Sequence, residues 1–119
     1  MAGNLVHFEL PATDTARAKA FWSSLLGWSF QEPFGGMEYH MADGTMPGGA
    51  IFLAEQAPVG HANIYFDTDD IDASLVRVGE LGGQAAAKQP IPGIGWFATC
   101  VDSEGNAFSL FQSDESVTG

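Results

Sequence analysis

Residues 61–70, HANIYFDTDD, decide the fold, because they restate the pattern of residues 6–14, VHFELPATD. Each stretch alternates apolar and polar side chains and then meets an acidic residue suited to cap a helix. In the first, Val6, Phe8 and Leu10 share one face, His7 and Glu9 share the other, and Thr13 or Asp14 is the cap. In the second, Ala62, Ile64 and Phe66 oppose His61, Asn63 and Tyr65, and Asp69 or Asp70 is the cap. A half-buried strand that places an imidazole and a carboxylate on one side needs a reason for that side to be polar.

Outward from these strands the two patterns stay in step. The segment DTARAKAFWSSLLG (14–27) carries Ala18, Phe21, Trp22 and Leu25 at helical spacing, with Gly27 where a left-handed cap belongs. Its counterpart IDASLVRVGELGG (71–83) carries Ile71, Leu75 and Val78 and stops at Gly82-Gly83. After the first helix, WSFQEPF (28–34), MEYHM (37–41) and GGAIFLA (48–54) read as strands, separated by Gly35-Gly36 and ADGTMPGG. After the second, QAAA (84–87), GWFATCV (95–101) and NAFSLFQ (106–112) read as strands. QPIPGI (89–94) reads as a rigid loop, DSEGN as a hairpin turn, and residues 113–119 as a frayed tail.

Shifts of 55 and 56 both align the helix ends, but only 56 keeps Val6, Phe8 and Leu10 opposite Ala62, Ile64 and Phe66. A slip of one exchanges the faces of a strand, so 56 is the register, and His7 corresponds to Asn63. The expectation is an α+β chain, 1–119 as one domain, built from two βαβββ modules at about 4–55 and 60–112. Paired by pseudo-twofold symmetry, they would form an open, curved, barrel-like sheet with the helices outside. His7, Glu9, Asn63 and Tyr65 would then look into a cleft.

Composition narrows the function. Nine Phe, three Trp and two Tyr in a chain that is 45% hydrophobic supply a globular interior. No run reaches the roughly 20 apolar residues of a membrane span, and the N-terminus has no secretory pattern, so a cytoplasmic protein is expected. The single cysteine, Cys100, excludes an internal disulfide framework and a zinc ribbon, and its apolar strand suits a buried thiol. Four Lys and Arg against fifteen Asp and Glu give a net charge of -11, which repels phosphate backbones and attracts cations. G-x-S-x-G, P-loop and Rossmann patterns are lacking, and the Gly-rich GGMEY, PGGA and PGIG read as turns.

HFELPATDTARAKAFWSSLLGWSF, GGMEYHMADG, DDIDASLVRVGELGG and KQPIPGIGWFATCVDSEGNAFSLFQ together resemble the vicinal oxygen chelate superfamily. That group includes glyoxalase I, extradiol dioxygenases, fosfomycin-inactivating enzymes and bleomycin-binding resistance proteins. For the catalytic members of that group, the resemblance implies a divalent metal held by one residue on the first and one on the last strand of each module. His7 fits its position, seven residues before the capping acid. The matching Asn63, Phe52 or Leu53, and Ser109 are poor ligands. A shifted site of His7, His61 and Glu9 is the alternative, with Glu38 and His40 flanking Tyr39 nearby.

The expectation is therefore a metal-free, cofactor-free, non-catalytic binder of a small aromatic or cationic molecule. It could capture an antibiotic or another natural product, as a homodimer, with no nucleic-acid or membrane partner. The expected contacts are His7, Glu9, Glu38, Tyr39, His40, Phe52, His61, Asn63, Tyr65, Trp96, Ser109 and Phe111, with Phe30 and Phe34 as further aromatics and QPIPGIGW as a wall. The alternatives are a metal-dependent lyase, isomerase or dioxygenase, or an accessory domain with a vestigial cleft.

Overall fold

The computed structural model describes residues 2–33, 36–54 and 61–118. Among them are nine strands and two helices, an α+β chain in which no helix is long and apolar enough to cross a membrane. The contacts group into two compact units, His7–Asn63 and Met1–Val6 with Ile64–Gly119. Phe34 and Gly35 lie outside the described residues.

The first unit holds most of β1 (Leu5–Ala12), then α1 (Thr15–Leu26), β2 (Ser29–Phe30), β3 (Tyr39–Asp43) and β4 (Gly48–Leu53). β4 pairs with β1 in parallel and with β3 antiparallel, and β2 flanks β3. Of the two candidate caps, Asp14 is the one used: its carboxylate accepts from the Arg17 N–H at 3.0 Å. Gly27 ends the helix at φ 77°, a conformation that side chains with a Cβ resist. Trp22 of α1 stacks on Trp28 with ring centres 4.8 Å apart, and Trp28 meets Phe8 of β1 at 5.9 Å. Phe8 lies over Gly49 so closely that a Cβ there would fall 2.2 Å from the ring. On β4, Ala50 and Ile51, which face opposite sides of the strand, are both fully buried.

The second unit holds β5 (Asn63–Asp67) apart from its first residue, followed by α2 (Ile71–Glu80), β6 (Gln84–Ala85), β7 (Gln89–Ile91), β8 (Gly95–Val101) and β9 (Ala107–Ser113). β9 lies between β5 and β8, and β8 also pairs with β6 and β7. Asp70 caps α2 through the Ala73 N–H at 3.1 Å, and the Gln112 side chain accepts from the Ile71 N–H at 2.8 Å. Two expectations change here. QPIPGI is not wholly a loop, because Gln89–Ile91 pairs with β8. The tail is not frayed: Val117 is buried, and its carbonyl accepts from the Gly93 N–H at 2.8 Å.

The modules fill their helix-covered faces in opposite ways. Glu9 stands opposite Ala50 and Tyr65 opposite Ser109, so Gly49 corresponds to Phe108. Phe8 with Gly49 becomes Ile64 with Phe108, whose ring meets Phe66 at 6.4 Å. The large ring moves from one strand to its neighbour, which conserves packed volume. The same pairing corrects the match proposed for Ser109: its counterpart is Ala50, and the counterpart of Phe52 is Phe111.

Candidate functional site

β4 separates β1 from β3, and on the face it shares with His7 and Glu9 it presents Gly48 and Ala50, a hydrogen and a methyl group. Nothing bulky stands between, and Tyr39 on β3 reaches over β4 to β1. Its hydroxyl lies 2.6 Å from Nε2 of His7 and donates to Oε2 of Glu9 at 2.6 Å. Nε2 and Oε2 are themselves 3.9 Å apart. Nδ2 of Asn63 donates to the other Glu9 oxygen at 3.4 Å. Phe52 adjoins Tyr39, ring centres 6.5 Å apart, and completes the face.

The phenol has a single proton and gives it to Glu9, while the direction of the His7–Tyr39 bond follows the tautomer of the ring. The side chains of His7 and Glu9 are 24% and 15% exposed, enough shielding for these bonds to count.

Burial lowers the pKa of His7 below 6.5, outweighing the Glu9 charge and a hydrogen bond at the Gly48 backbone, both of which favour the protonated ring. Below pH 6.5 the unfolded chain therefore binds more protons at this site than the folded one. Stability contributed by neutral His7 is present above pH 6.5 and falls as pH drops from there towards the folded pKa, levelling off below it. Titration of the His7 ring signals by NMR should give a midpoint below 6.5. Urea midpoints should fall less between pH 7.5 and 5 in His7→Asn than in the parent protein.

Several expected contacts lie elsewhere. Glu38 and His40 do not flank the site, because strand alternation turns them to the opposite face of β3, under α1. There Oε1 of Glu38 accepts from the Thr15 hydroxyl at 2.5 Å and lies 3.3 Å from Nε2 of His40, while Lys19 donates to Nδ1 of His40 at 3.2 Å. His40 is buried, and the Thr15 bond is the first cause holding the Glu38 carboxyl below its ordinary pKa. Trp96 is likewise on the helix-covered side: it shares its face of β8 with Ala98 and Cys100, both buried, and stands opposite Gln112. Its ring lies 4.3 Å beneath Nζ of Lys88, which also pairs with Asp72 of α2 at 3.0 Å.

The residue sequence reading missed is Phe97, one place along, whose ring lies 6.3 Å from Tyr65 and which stands opposite Phe111. Ser109 is buried between Tyr65 and Thr99 in register, so this face of the second unit carries Tyr65, Phe97, Thr99, Ser109 and Phe111. Phe111 also borders a cavity of about 350 Å³, with Val6, Asp67, Thr68, Asp69, Gln112 and Ser113. His61 is exposed ahead of β5.

A divalent ion would need more donors than the described residues bring together. Among them no group of three His, Cys, Asp or Glu side chains could hold a metal, and the His7 and Glu9 atoms that face each other are both hydrogen-bonded to Tyr39. The trio of His7, His61 and Glu9 is not assembled, and the described residues do not fit the group.

Residues 6–111 match the model of the glyoxalase-like domain. A glyoxylase-like domain-containing protein of Didymella fabae is 31% identical, over 91% of this chain and 92% of that protein. A putative glyoxylase, CFP32, of Mycobacterium bovis is 32% identical over 92% of this chain, which spans only 45% of its length. The crystal structure of a glyoxalase/bleomycin resistance protein/dioxygenase superfamily member from Vibrio splendidus superposes with a TM-score of 0.68 at 19% identity, covering 93% of this chain and 99% of that one. Architecture, strand register and family model agree: the chain belongs to the glyoxalase-like domain family, on the vicinal oxygen chelate fold.

Proposed function

We propose that this protein binds a small organic molecule, without a metal, on the face formed by His7, Glu9, Tyr39, Phe52 and Asn63. The reading rests on the Tyr39 hydroxyl, which spends on hydrogen bonds the two atoms a metal would need. What remains is a recognition surface: a carboxylate, an imidazole and an amide beside the rings of Tyr39 and Phe52. Such a surface suits a flat molecule that carries a hydrogen-bond donor or a positive charge, and the net charge of -11 favours the latter. Capture of a natural product by a cytoplasmic homodimer fits this chemistry, since sequestration asks for affinity and not for a reacting group. Phe21, Leu25 and Leu26, each more than half exposed on α1, supply apolar surface for a second copy.

The test is a thermal-shift panel of cationic and polyaromatic compounds, combined with metal analysis of protein prepared without chelators. A ligand at 100 times its dissociation constant should add about 2.7 kcal/mol of stability. The shift should survive chelator and fall by about half or more in Glu9→Gln. Stoichiometric metal that is lost in His7→Ala would replace this reading with a metal-dependent lyase, isomerase or dioxygenase.

A further inference from the structure

We propose that the Tyr39 hydroxyl holds the place a divalent cation would take between His7 and Glu9, and that this one oxygen sets the site to hold a proton instead of a metal. The inference rests on the metal-free reading above and gives it a cause.

The geometry comes in two parts. First, the pair is spaced for an ion. Bonds of about 2.0–2.2 Å from nitrogen or carboxylate oxygen let one ion touch two donors up to roughly 4.2 Å apart, and Nε2 and Oε2 are 3.9 Å apart. Second, the phenol is in the way. Its oxygen is 2.6 Å from each donor, a hydrogen-bond length and too long for a coordinate bond. By those same bond lengths, any ion bonded to both donors would lie within about 2.5 Å of the phenol oxygen. Tyr39 would then have to swing away or give up its proton and become a ligand. The first course breaks two short hydrogen bonds at once. The second asks a phenol with an ordinary pKa of about 10 to ionise.

Small residues on β4 are what make the substitution possible. Gly48 and Ala50 leave the path from β3 to β1 open, so a side chain anchored two strands away can sit where an ion otherwise would.

Tyr39 is thus a positioning residue, and its removal should be read by metal affinity. Co²⁺ titrated into the parent protein, Tyr39→Phe and Tyr39→Ala can be followed by paramagnetic shifts of the His7 ring signals, with circular dichroism confirming the fold. Tyr39→Ala, which opens the most room, should bind Co²⁺ at least roughly tenfold more tightly than the parent. Adding His7→Ala should remove that gain. Tyr39→Phe, which keeps the ring, should lie between. Unchanged Co²⁺ affinity in both folded variants, with the parent still binding weakly, overturns the role assigned to Tyr39 and leaves the binding reading standing. Tight Co²⁺ binding at His7 in the parent itself overturns both.

Discussion

Gly95→Ala should destabilise the fold by about 3 kcal/mol or more, at the upper end of what overpacking costs, lowering the melting temperature by roughly 10 °C for a domain of this size. Gly95 opens β8, is buried, and stands opposite Ser113 of β9. A Cβ built there would lie 2.0 Å from the Gln112 carbonyl oxygen and 3.1 Å from the Phe111 ring. The nearest obstacle is backbone, so no rotamer change can relieve it, and the β8–β9 pair must part at the end that carries Phe97 and Phe111. Gly49→Ala faces a similar distance, but against the Phe8 ring, a side chain that can tilt towards Trp28, and the cost should be smaller. Gly79→Ala is the counterpart with opposite sign. Gly79 is exposed inside α2 with nothing within 4 Å of the added methyl group, and helix propensity should make that variant more stable by roughly 0.5–1 kcal/mol. Chemical denaturation of the three variants checks both order and sign.

These glycines also show where sequence reading stops. The repeat, both helices and their capping acids, and the residues that face the helices on β1 and β5 are local patterns, carried by spacing alone. The choice of Asp14 over Thr13 and of Asp70 over Asp69 needs backbone angles, which spacing does not contain. Glu38, His40 and Trp96, expected among the contacts, lie on the helix side: the bounds of β3 and β8 fix the parity of His40 and Trp96, and Glu38, just ahead of β3, bonds Thr15 of α1. A signal did exist for Trp96: Ala98 and Cys100, two and four places on, form the small, apolar row that a helix covers, which leaves Phe97 and Thr99 for the other face. For the site, His7 and Glu9 could be read from strand alternation. The bridge from Tyr39 could not, because it depends on β4 lying between β1 and β3 with Gly48 and Ala50 in register, a long-range fact that no local window holds.

Glu9→Ala should cost about 2–3 kcal/mol of stability, the range for losing a charge-assisted hydrogen bond and stranding its donor. The carboxylate takes the Tyr39 proton at 2.6 Å and the Asn63 amide at 3.4 Å, and with 15% of the side chain exposed little water is at hand to replace it. Glu9→Gln should cost only about 1 kcal/mol, since an amide oxygen can still accept from the phenol without the charge. Tyr39→Phe made in the Glu9→Ala background should add less to the loss than it costs alone, because its bond to Glu9 is already gone and only the one to His7 remains to be removed. A double-mutant cycle between the two positions should give a coupling of about 1–2 kcal/mol. Additive losses would mean that the two side chains act independently and that the bridge has no energetic standing. Binding separates from stability in the same series. Glu9→Gln keeps the fold but lacks the charge, so its affinity for a cationic ligand should fall by roughly tenfold or more, the factor equivalent to 1.4 kcal/mol. His40→Gln, on the far side of β3 against α1, should leave that affinity unchanged, because the proposed binding face is the opposite one.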